Sequence, residues 1–589
     1  MNANNPRTDA SAVPDPNLSG SAVAAGRRPP LRKWMRIAAL LLSVLILAGG
    51  FLWYAMVHSG YAAVENSVFA SAFYRNRRVL VLVPHEDDEV NLAYGVIDSF
   101  VRAGSDVTVA FLTNGEARID PAVRNREAVR TAATLGVPAD HLVFLGYGDH
   151  ISDPPLYRGA PDDVRAGEAG QTQTFAAGRF TDYHTARFGK PAAVTLANVR
   201  EDLRALILER RPDVLFVTDL DDHVDHVSLS RIFDSVLGDL LRGHGDYRPQ
   251  VFKGFAYEYA WHGNDDFYRI PLLSAAPGWM PASYNACYRW EERVRFVTPG
   301  DYLSYTLRGS RLYTVLRCYD SQNAFAKESR LLNGDKVFWE RRADNLALTA
   351  AVWASSGDAT LLADFVLEGT AEDPLEGCWF PDTADARATV TFSWPSPQDI
   401  RELVFYDAPA PAGDVRAVRV RVNGGAPVEF ALTDGGGLPC RMALGAEQAR
   451  TLSVEIIPAG NGPCGLFEIE ALPARELSPR WIKLTDANGD FCYELPCPAG
   501  QPLRLGLYGY PAAPQQATAT LFRDGQAVAS PVYEGGGFTL PPLAAGRYRL
   551  RVTDGACVDE AVLRVGDAML WQRGLQWLER QIRKALPKL

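Results

Sequence analysis

The sequence predicts a multi-domain protein: an N-terminal transmembrane helix, an α/β domain with a Rossmann-like, mostly parallel sheet, two β-sandwich domains and a C-terminal amphipathic helix. Three observations lead to this fold class. An uncharged apolar stretch near the N-terminus is long enough to span a bilayer. Strand-like apolar runs alternate with helical patterns from residue 78 to residue 217, which indicates βαβ units. After about residue 350, helical periodicity gives way to short alternating strands between glycine- and proline-rich turns.

Length and composition narrow the function classes. The chain has 589 residues, enough for several domains, and its hydrophobic (47%) and charged (22%) fractions are ordinary for a globular protein. A net charge of −10, without a basic stripe that carries interleaved aromatic residues, argues against a nucleic-acid partner. Eight cysteines, from Cys287 to Cys557, follow the apolar stretch. Their even number permits disulfides in an exported segment, and free buried thiols are the alternative.

The first predicted element is a transmembrane signal anchor at residues 37–57. Five basic residues lie between Arg27 and Arg36, and none follows the stretch before Arg75. The positive-inside rule therefore makes residues 1–36 a cytoplasmic tail, whose polar, proline- and glycine-rich start predicts disorder. A cleaved signal peptide is the alternative, but the apolar core of one is only ~7–15 residues long. We expect a single-pass protein of the cytoplasmic membrane with the bulk of the chain extracytoplasmic.

The α/β domain is predicted at residues 75–345. The apolar runs predict strands at Val79–Val83, Val107–Leu112, Leu142–Leu145 and Val214–Val217, and helices at Leu92–Ala103, Arg124–Leu135 and Val199–Arg210. Right-handed crossovers would place these helices on both faces of the sheet. Residues 153–190 lack periodicity, and we expect a long loop over the active face.

Two clusters of histidine and acidic residues follow strands of this domain. His85–Asp88 comes directly after the first strand, and His223–His226 follows the strand at residues 214–217. Ligands bind at the carboxyl ends of strands in open α/β sheets, so we predict one metal site built from both clusters. The alternatives are a hydrogen-bonded His85 beside an acidic helix N-terminus, and a helix cap begun by Asp221 and Asp222.

The motifs around these clusters resemble the PIG-L family of zinc-dependent N-acetylglucosaminyl deacetylases, also called LmbE-like. His85-Glu86-Asp87-Asp88-Glu89 stands where the family has His-Pro-Asp-Asp-Glu, and His223 and His226 match its His-x-x-His element. Further matching segments are Leu112–Glu116, Arg124–Ala128, Leu135–Val137, Phe144–Tyr147 and, more weakly, Tyr319–Gln322. The resemblance covers residues 78–149 best and extends to about residue 342. Glu86 departs from the family's proline.

The resemblance implies a metal-dependent amide hydrolase. His85, Asp88 and His226 would hold Zn²⁺ and leave one position open for water, whose pKa the metal lowers towards ~7. Asp87 would be the general base. His223 would stabilise the oxyanion or protonate the leaving amine. Because a His/Asp set is less zinc-selective than thiolates, another divalent metal stays open.

Four further residues complete the predicted site. Arg124 and Asp149 stand where the family places sugar-contacting groups, and a surface ion pair is the alternative for them. Asp225 is expected to fix a histidine tautomer from behind the ligands. Glu86 brings an additional charge to the loop, where it would raise the negative charge, bind a cationic substrate group or replace a ligand.

The remaining chain predicts β-domains and a helix. Residues 351–472 resemble the discoidin-type (F5/8 C) galactose-binding-like fold through Asp399–Tyr406, Arg419–Gly424 and Gly465–Ile469. Residues 477–566 resemble an immunoglobulin-like domain through Gly546–Val552. Residues 567–589 predict a basic amphipathic helix, with an apolar stripe at Trp571, Leu575, Leu578, Ile582 and Leu586. It would lie on an anionic membrane surface or pack against the preceding sandwich.

Together these features predict a membrane-anchored zinc-dependent N-deacetylase. Its substrate would be an N-acetylated amino sugar in an extracytoplasmic glycan or glycolipid. Two alternatives stay open. One is an amidase of the same family that acts on another acylated glycoconjugate. The other is a non-catalytic carbohydrate-binding surface protein, which only the departure at Glu86 favours.

Overall fold

A computed structural model describes residues 31–61, 67–257, 261–263, 268–269, 272–278, 287–322, 331–432, 437–460 and 462–586. Most of the predicted cytoplasmic tail, residues 1–30, lies outside the described residues. The chain divides into two compact units, Met1–Ala55 and Met56–Leu589. The fold class predicted from the sequence is confirmed.

An apolar helix dominates the described part of the first unit. Helix α1 spans Leu31–Val57, and most of its large apolar side chains from Trp34 to Tyr54 are exposed. The segment Lys33–Val57 is long and apolar enough to cross a membrane by length and composition. The predicted anchor at residues 37–57 lies within this helix.

The second unit begins with the α/β domain. Its strands are β1 (Arg78–Val83), β2 (Asp106–Thr113), β3 (Leu142–Tyr147), β4 (Val214–Thr218), β5 (Gln250–Gly254), β6 (Trp261–His262), β7 (Ala276–Pro277), β8 (Val294–Val297) and β9 (Asp335–Arg342). Seven of them form one sheet in the order β3-β2-β1-β4-β5-β9-β8, and β6 pairs only with β7 among the described strands. The first five strands of that order are parallel, and β9 and β8 extend the edge in antiparallel fashion.

Helices cover both faces of this sheet. They are α2 (Asp88–Arg102), α3 (Pro121–Leu135), α4 (Tyr183–Phe188), α5 (Leu196–Arg210), α6 (Val224–Gly243) and α7 (Arg311–Leu316). Strand β1 shows the two-sided burial: Val79, Val81 and Val83 share a core with α2 and α3, whereas Leu80 and Leu82 share a second core with α5 and α6. Side chains alternate between faces of a strand, so an all-apolar run fits a strand buried on both faces.

The strand order brings the two predicted clusters together. β1 pairs with β4 in parallel, with Leu82 opposite Val217. The segments that follow Val83 and Thr218 therefore leave the sheet side by side at its carboxyl edge. The sheet order reverses between these two strands, and such a switch point is where open α/β sheets bind ligands.

The next domain is antiparallel. Its strands are β10 (Ala351–Ala354), β11 (Thr389–Asp407), β12 (Val415–Val422), β13 (Val428–Ala431), β14 (Pro439–Pro458) and β15 (Leu466–Leu472), in the order β10-β11-β14-β12-β13 with β15 also on β11. The sequence predicts two strands, at residues 388–392 and 402–406. The structure has one strand instead, because pairing with β14 continues through register shifts around Gln398 despite Pro395 and Pro397.

Two sheets form the last β-domain. Its strands are β16 (Trp481–Thr485), β17 (Glu494–Cys497), β18 (Leu503–Tyr510), β19 (Thr518–Arg523), β20 (Gln526–Ala529), β21 (Tyr533–Glu534), β22 (Gly537–Leu540), β23 (Gly546–Thr553) and β24 (Val558–Val565). The sheet orders are β16-β18-β22-β21 and β17-β24-β23-β19-β20. Helix α8 (Leu570–Ala585) follows. No disulfide joins any of the eight cysteines, all of which lie in described residues.

The β-domains pack against the α/β domain. Trp481 is fully buried, and its ring centroid lies 4.2 Å from Tyr510 and 4.4 Å from Phe73, which precedes β1. On the other side, Gly238 of α6 approaches the first β-domain so closely that a Cβ would lie 2.4 Å from the carbonyl oxygen of Asp364. These contacts make the β-domains part of the support of the α/β fold.

The shared aromatic core predicts a stability effect. Trp481→Ala should lower the free energy of unfolding by ~3–5 kcal/mol, because it leaves a large cavity between two domains. Trp353→Ala is the matched control, since Trp353 is 62% exposed and surface changes stay within about 0.5 kcal/mol. Thermal and urea unfolding of both variants measures the difference. Equal midpoints would show that the two domains do not depend on this contact.

Candidate metal centre

The site lies at the carboxyl ends of β1 and β4, and Asp88 links the two clusters. The Oδ2 atom of Asp88 lies 3.0 Å from His85 Nδ1 and 3.2 Å from His226 Nε2. Each of these three side chains is at least 93% buried. The residues predicted as metal ligands therefore meet, although well over a hundred positions of sequence separate the two strand ends.

His226 has one nitrogen held and one directed towards Asp88. Its Nδ1 atom lies 2.7 Å from Asp221 Oδ2, whereas its buried Nε2 atom has no partner with hydrogen-bond geometry in the described structure. Burial alone would lower the pKa of His226, but Asp221 and Asp88 raise it to about 10. A carboxylate behind one nitrogen, with the second nitrogen directed at another ligand candidate, is the arrangement of a metal-ligating histidine.

His85 is contacted by carboxylates at both ring nitrogens. Opposite the Asp88 contact, its Nε2 atom lies 3.1 Å from Asp149 Oδ1 and 3.1 Å from Asp225 Oδ2. Burial opposes the charged imidazolium, yet the surrounding carboxylates raise the pKa of His85 well above its ordinary value. Burial and the neighbouring Asp149 likewise raise the pKa of Asp225. Asp225 is thus placed to orient His85.

The donor atoms fit a divalent metal. Tetrahedral coordination with bonds of ~2.0–2.1 Å separates ligand atoms by about 3.3 Å, close to the spacing around Asp88 Oδ2. Three groups have their ligand atoms within 4.8 Å of one another: His85, His223 and His226; His85, Asp149 and Asp225; and His150, His223 and Asp225. Metal binding requires neutral histidines. A metal would therefore replace the protons that the carboxylates now attract to the imidazoles.

Asp87 occupies a strained turn between β1 and α2. Its φ of +124° lies in the region that side chains other than glycine rarely adopt. The backbone N–H of Asp87 donates to Glu89 Oε2 at 3.1 Å, and Tyr319 donates its hydroxyl to Glu89 Oε1 at 2.6 Å. Two buried side chains thus hold the strained backbone, and such strain is commonly found at functional sites.

His223 lies at the mouth of the site, with its side chain 25% exposed. It is the residue before α6, and its Nδ1 atom accepts the backbone N–H of Asp225 at 3.3 Å. This hydrogen bond puts the ring proton of a neutral His223 on Nε2. Burial, together with His85 and His226, lowers the pKa of His223 to about 3.

Arg124 and Glu86 form a buried pair beneath the loop. The Nε atom of Arg124 lies 3.2 Å from Glu86 Oε2, and one guanidinium nitrogen donates to the carbonyl oxygen of Glu86 at 2.8 Å. Gly115 gives this guanidinium room, since a Cβ there would lie 2.5 Å from it. The carboxylate of Glu86 is fully buried, and burial raises its pKa to about 7 although Arg124 lowers it. Glu86 thus faces Arg124.

The long loop at residues 153–190 reaches the site. The backbone N–H of Glu168 donates to the carbonyl oxygen of Asp149 at 2.8 Å, and a Cβ at Gly167 would lie 2.8 Å from Glu116 Oε1. Glu116 in turn accepts the N–H of Asp149 at 2.9 Å. The loop therefore packs beside Asp149, and it contains only one short helix, α4, among its described elements.

Sequence reasoning missed four side chains of the site. The sequence suggests a helix cap for Asp221 and places Glu89, Tyr319 and Glu116 only within segments that match the family. The spacing Asp-Asp-His-Val-Asp-His holds the signal for Asp221, because a carboxylate near a ligating histidine commonly orients it. The Glu89–Tyr319 contact spans 230 positions and has no local signal.

Comparisons with known proteins identify similar segments in two parts of the chain. Residues 80–237 match the PIG-L family model, described as GlcNAc-PI de-N-acetylase, which confirms the family resemblance of the motifs. Residues 345–472 match a domain of unknown function, DUF7402. No curated protein matches the chain.

Solved structures similar to parts of the chain include a bacterial protein and two sugar-binding modules. The conserved protein TT1542 from Thermus thermophilus is 19% identical, with 32% of this chain and 71% of that chain covered and a TM-score of 0.21. A mutant of the lectin binding domain of lectinolysin, complexed with Lewis b, is 18% identical (22% and 96% covered, TM-score 0.20). A Clostridium perfringens module, CpGH89CBM32-4 with GlcNAc-α-1,4-galactose, is 15% identical (22% and 92% covered, TM-score 0.17).

The buried pair allows the two predicted roles of Arg124 to be separated. Arg124→Met should lower the free energy of unfolding by ~3–5 kcal/mol, because it leaves Glu86 buried without its partner. Adding Glu86→Gln in the same chain should recover part of that loss by removing the buried charge. Urea unfolding of both variants measures this. A stable Arg124→Met protein that binds sugar weakly would instead support the substrate-contacting role.

Proposed function

We propose that this chain, which carries a PIG-L domain at residues 80–237, is a metal-dependent de-N-acetylase. It would hydrolyse the acetamide of an N-acetylated amino sugar in an extracytoplasmic glycan or glycoconjugate. The observation that carries the proposal is the buried His/Asp centre at the switch point of the sheet, where His85 Nδ1 and His226 Nε2 both lie within 3.2 Å of Asp88 Oδ2. An enzyme that hydrolyses amides with a metal needs such a centre, with one coordination position left for water.

His85, Asp88 and His226 would hold the metal, which we propose to be Zn²⁺. The bound metal would supply acidified water and polarise the amide carbonyl. Behind these ligands, Asp221 fixes the tautomer of His226, and Asp225 contacts the second nitrogen of His85. Asp149 Oδ1 lies 3.1 Å from the same nitrogen of His85, so we assign Asp149 to orienting His85 in preference to binding sugar.

The residues around the ligands would move the protons. Water supplies the oxygen that bonds to the carbonyl carbon, the carbon–nitrogen bond breaks, and acetate and a free amine leave. Asp87 takes the proton from the water and returns it to the departing nitrogen. His223 keeps its proton on Nε2 and donates a hydrogen bond to the carbonyl oxygen as negative charge develops there. Of its two predicted roles, the hydrogen bond that leaves the ring proton on Nε2 favours this one.

The membrane and glycan assignments have different support. Helix α1 and the basic residues before it support a single-pass anchor with the PIG-L domain outside. The amide-hydrolase chemistry of the centre supports a sugar substrate only through the family. For residues 351–472 we keep glycan attachment as a proposal, beside the structural support that their packing on α6 provides.

The first alternative, an amidase of the same family that removes a different acyl group, would release a different acid as its product. Acetate release from a panel of N-acetylglucosamine-containing glycans, with and without a chelator, separates a deacetylase from an amidase for another acyl group. A purified chain that binds these glycans and holds no metal would instead favour the non-catalytic alternative.

The metal assignment predicts a specific pattern of metal content. Purified protein should hold about one divalent metal per chain, and His226→Ala should lose most of it. Asp88→Asn should do the same, whereas Asp149→Asn should keep the metal. His141→Ala, outside the site, is the control. Elemental analysis measures all four variants. Metal lost from Asp149→Asn and kept in Asp88→Asn would move the ion to the other side of His85.

The role of Asp87 predicts a loss of rate without loss of metal. Asp87→Asn should lower kcat by roughly 10²–10⁴-fold, the usual contribution of general acid–base catalysis. Asp222→Asn is the matched control, because Asp222 is an exposed carboxylate on the neighbouring loop. Acetate release and metal content are measured on both variants. Near-normal turnover by Asp87→Asn would contradict its role as the base.

A further inference from the structure

Helix α8 has one face buried and one exposed. The buried face carries Leu575, Gln576 and Glu579, which are at most 7% exposed. The apolar stripe predicted from the sequence is therefore not the centre of this face: Leu575 is buried, but Trp571 and Leu586 are more than half exposed. An acidic side chain stands at the centre of the docking surface instead.

Glu579 fixes α8 on the α/β domain. One of its carboxylate oxygens accepts the backbone N–H of Leu307 at 2.7 Å, and the other accepts the backbone N–H of Arg308 at 3.0 Å and its guanidinium at 3.1 Å. Gln576 donates its side-chain amide to the carbonyl oxygen of Tyr268 at 2.7 Å. The helix is thus held on the α/β domain by Glu579 and Gln576.

The loop at residues 304–308, which contacts α8 through Leu307 and Arg308, also contacts the C-terminal end of α1. Thr306, next to Leu307, donates its hydroxyl to the carbonyl oxygen of Met56 at 2.7 Å, in the last turn of α1. The hydroxyl of Ser59 lies 2.7 Å from that of Thr306 and 2.9 Å from that of Ser304. One loop, residues 304–308, therefore holds both α8 and the residues that follow the apolar helix.

The outward face of α8 combines aromatic and basic side chains. Leu570 is 77% exposed, Trp577 is 63% exposed, and Arg573 and Lys584 are exposed on the same side. The acidic residue of the helix, Glu579, is buried on the opposite side. Tryptophan beside arginine and lysine is the composition of helices that lie at the surface of an anionic membrane.

We propose that the outward face of α8 is a second membrane contact, which lies on the anionic surface of the membrane that α1 crosses. The proposal rests on the membrane anchoring proposed for α1. Its support is the shared loop, because a helix docked beside Met56 lies where the chain leaves the bilayer, and the positive charge of the face.

Site-specific photocrosslinking in proteoliposomes tests the proposal. The full chain carries p-benzoylphenylalanine in place of Trp577 and is reconstituted into vesicles of phosphatidylglycerol and phosphatidylcholine. The matched control replaces Val532, a 69%-exposed residue of the last β-domain. We expect lipid adducts from the Trp577 position and background levels from the Val532 position. Replacement of Trp571 serves as a second probe if the Trp577 protein is poorly produced.

Charge reversal on α8 and carbonate extraction distinguish a failure of the proposed α8 contact from a failure of the α1 anchor. Arg573→Glu with Lys584→Glu should lower the lipid adducts several-fold and leave acetate release on a soluble sugar unchanged. Carbonate extraction of the same vesicles reports whether α1 is inserted, independently of α8. Inserted protein without lipid adducts at either probe would overturn the proposal and leave the anchor intact. Protein adducts in place of lipid adducts would also overturn it, in favour of a protein partner.

Discussion

The parallel pairing of β1 with β4 is the constraint on which the site depends. It brings His85–Asp88 beside His223–His226, and it leaves many buried carboxylates close together. Such a group is unstable without positive charge, because carboxylates repel one another in a poorly solvated interior. In the described structure the positive charge comes from Arg124 beneath the loop and from His85 and His226, whose pKa values the neighbouring carboxylates raise. A divalent cation bound here would neutralise more of the negative charge of these carboxylates.

The elements that carry the ligand candidates also contact the β-domains. Helix α6 begins at the site, with His226 in its first turn, and its far side meets the first β-domain at Gly238 and Asp364. Trp481 closes the opposite end of the domain against Phe73, just before β1. The two elements that carry the ligands are therefore each supported by a β-domain. Whatever those domains bind, their removal would disturb the geometry of the centre.

Local sequence patterns predict much of the α/β fold and the positions of the ligand candidates. The all-apolar β1 and β4 and the polar residues directly after them place the ligand candidates at one edge, since strand ends meet in a parallel sheet. Contacts distant in sequence had no such pattern: Tyr319 on Glu89 and Glu579 on Arg308 depend on how whole domains dock. For Arg124 the motif match indicated the position but not the contact with Glu86, whose carboxylate lies 3.2 Å from the Nε atom of Arg124.

The docking of α8 shows why an amphipathic pattern alone can mislead. The apolar stripe of this helix predicts a buried face around Leu578, yet two backbone N–H groups at Leu307 and Arg308 select the face that carries a carboxylate. Hydrogen bonds from buried N–H groups to a charged acceptor are strong and would be costly to leave unmade. They turn the helix so that Trp577 faces outward. Glu579, which the sequence alone suggests is an exposed charge, therefore determines which face of α8 is exposed.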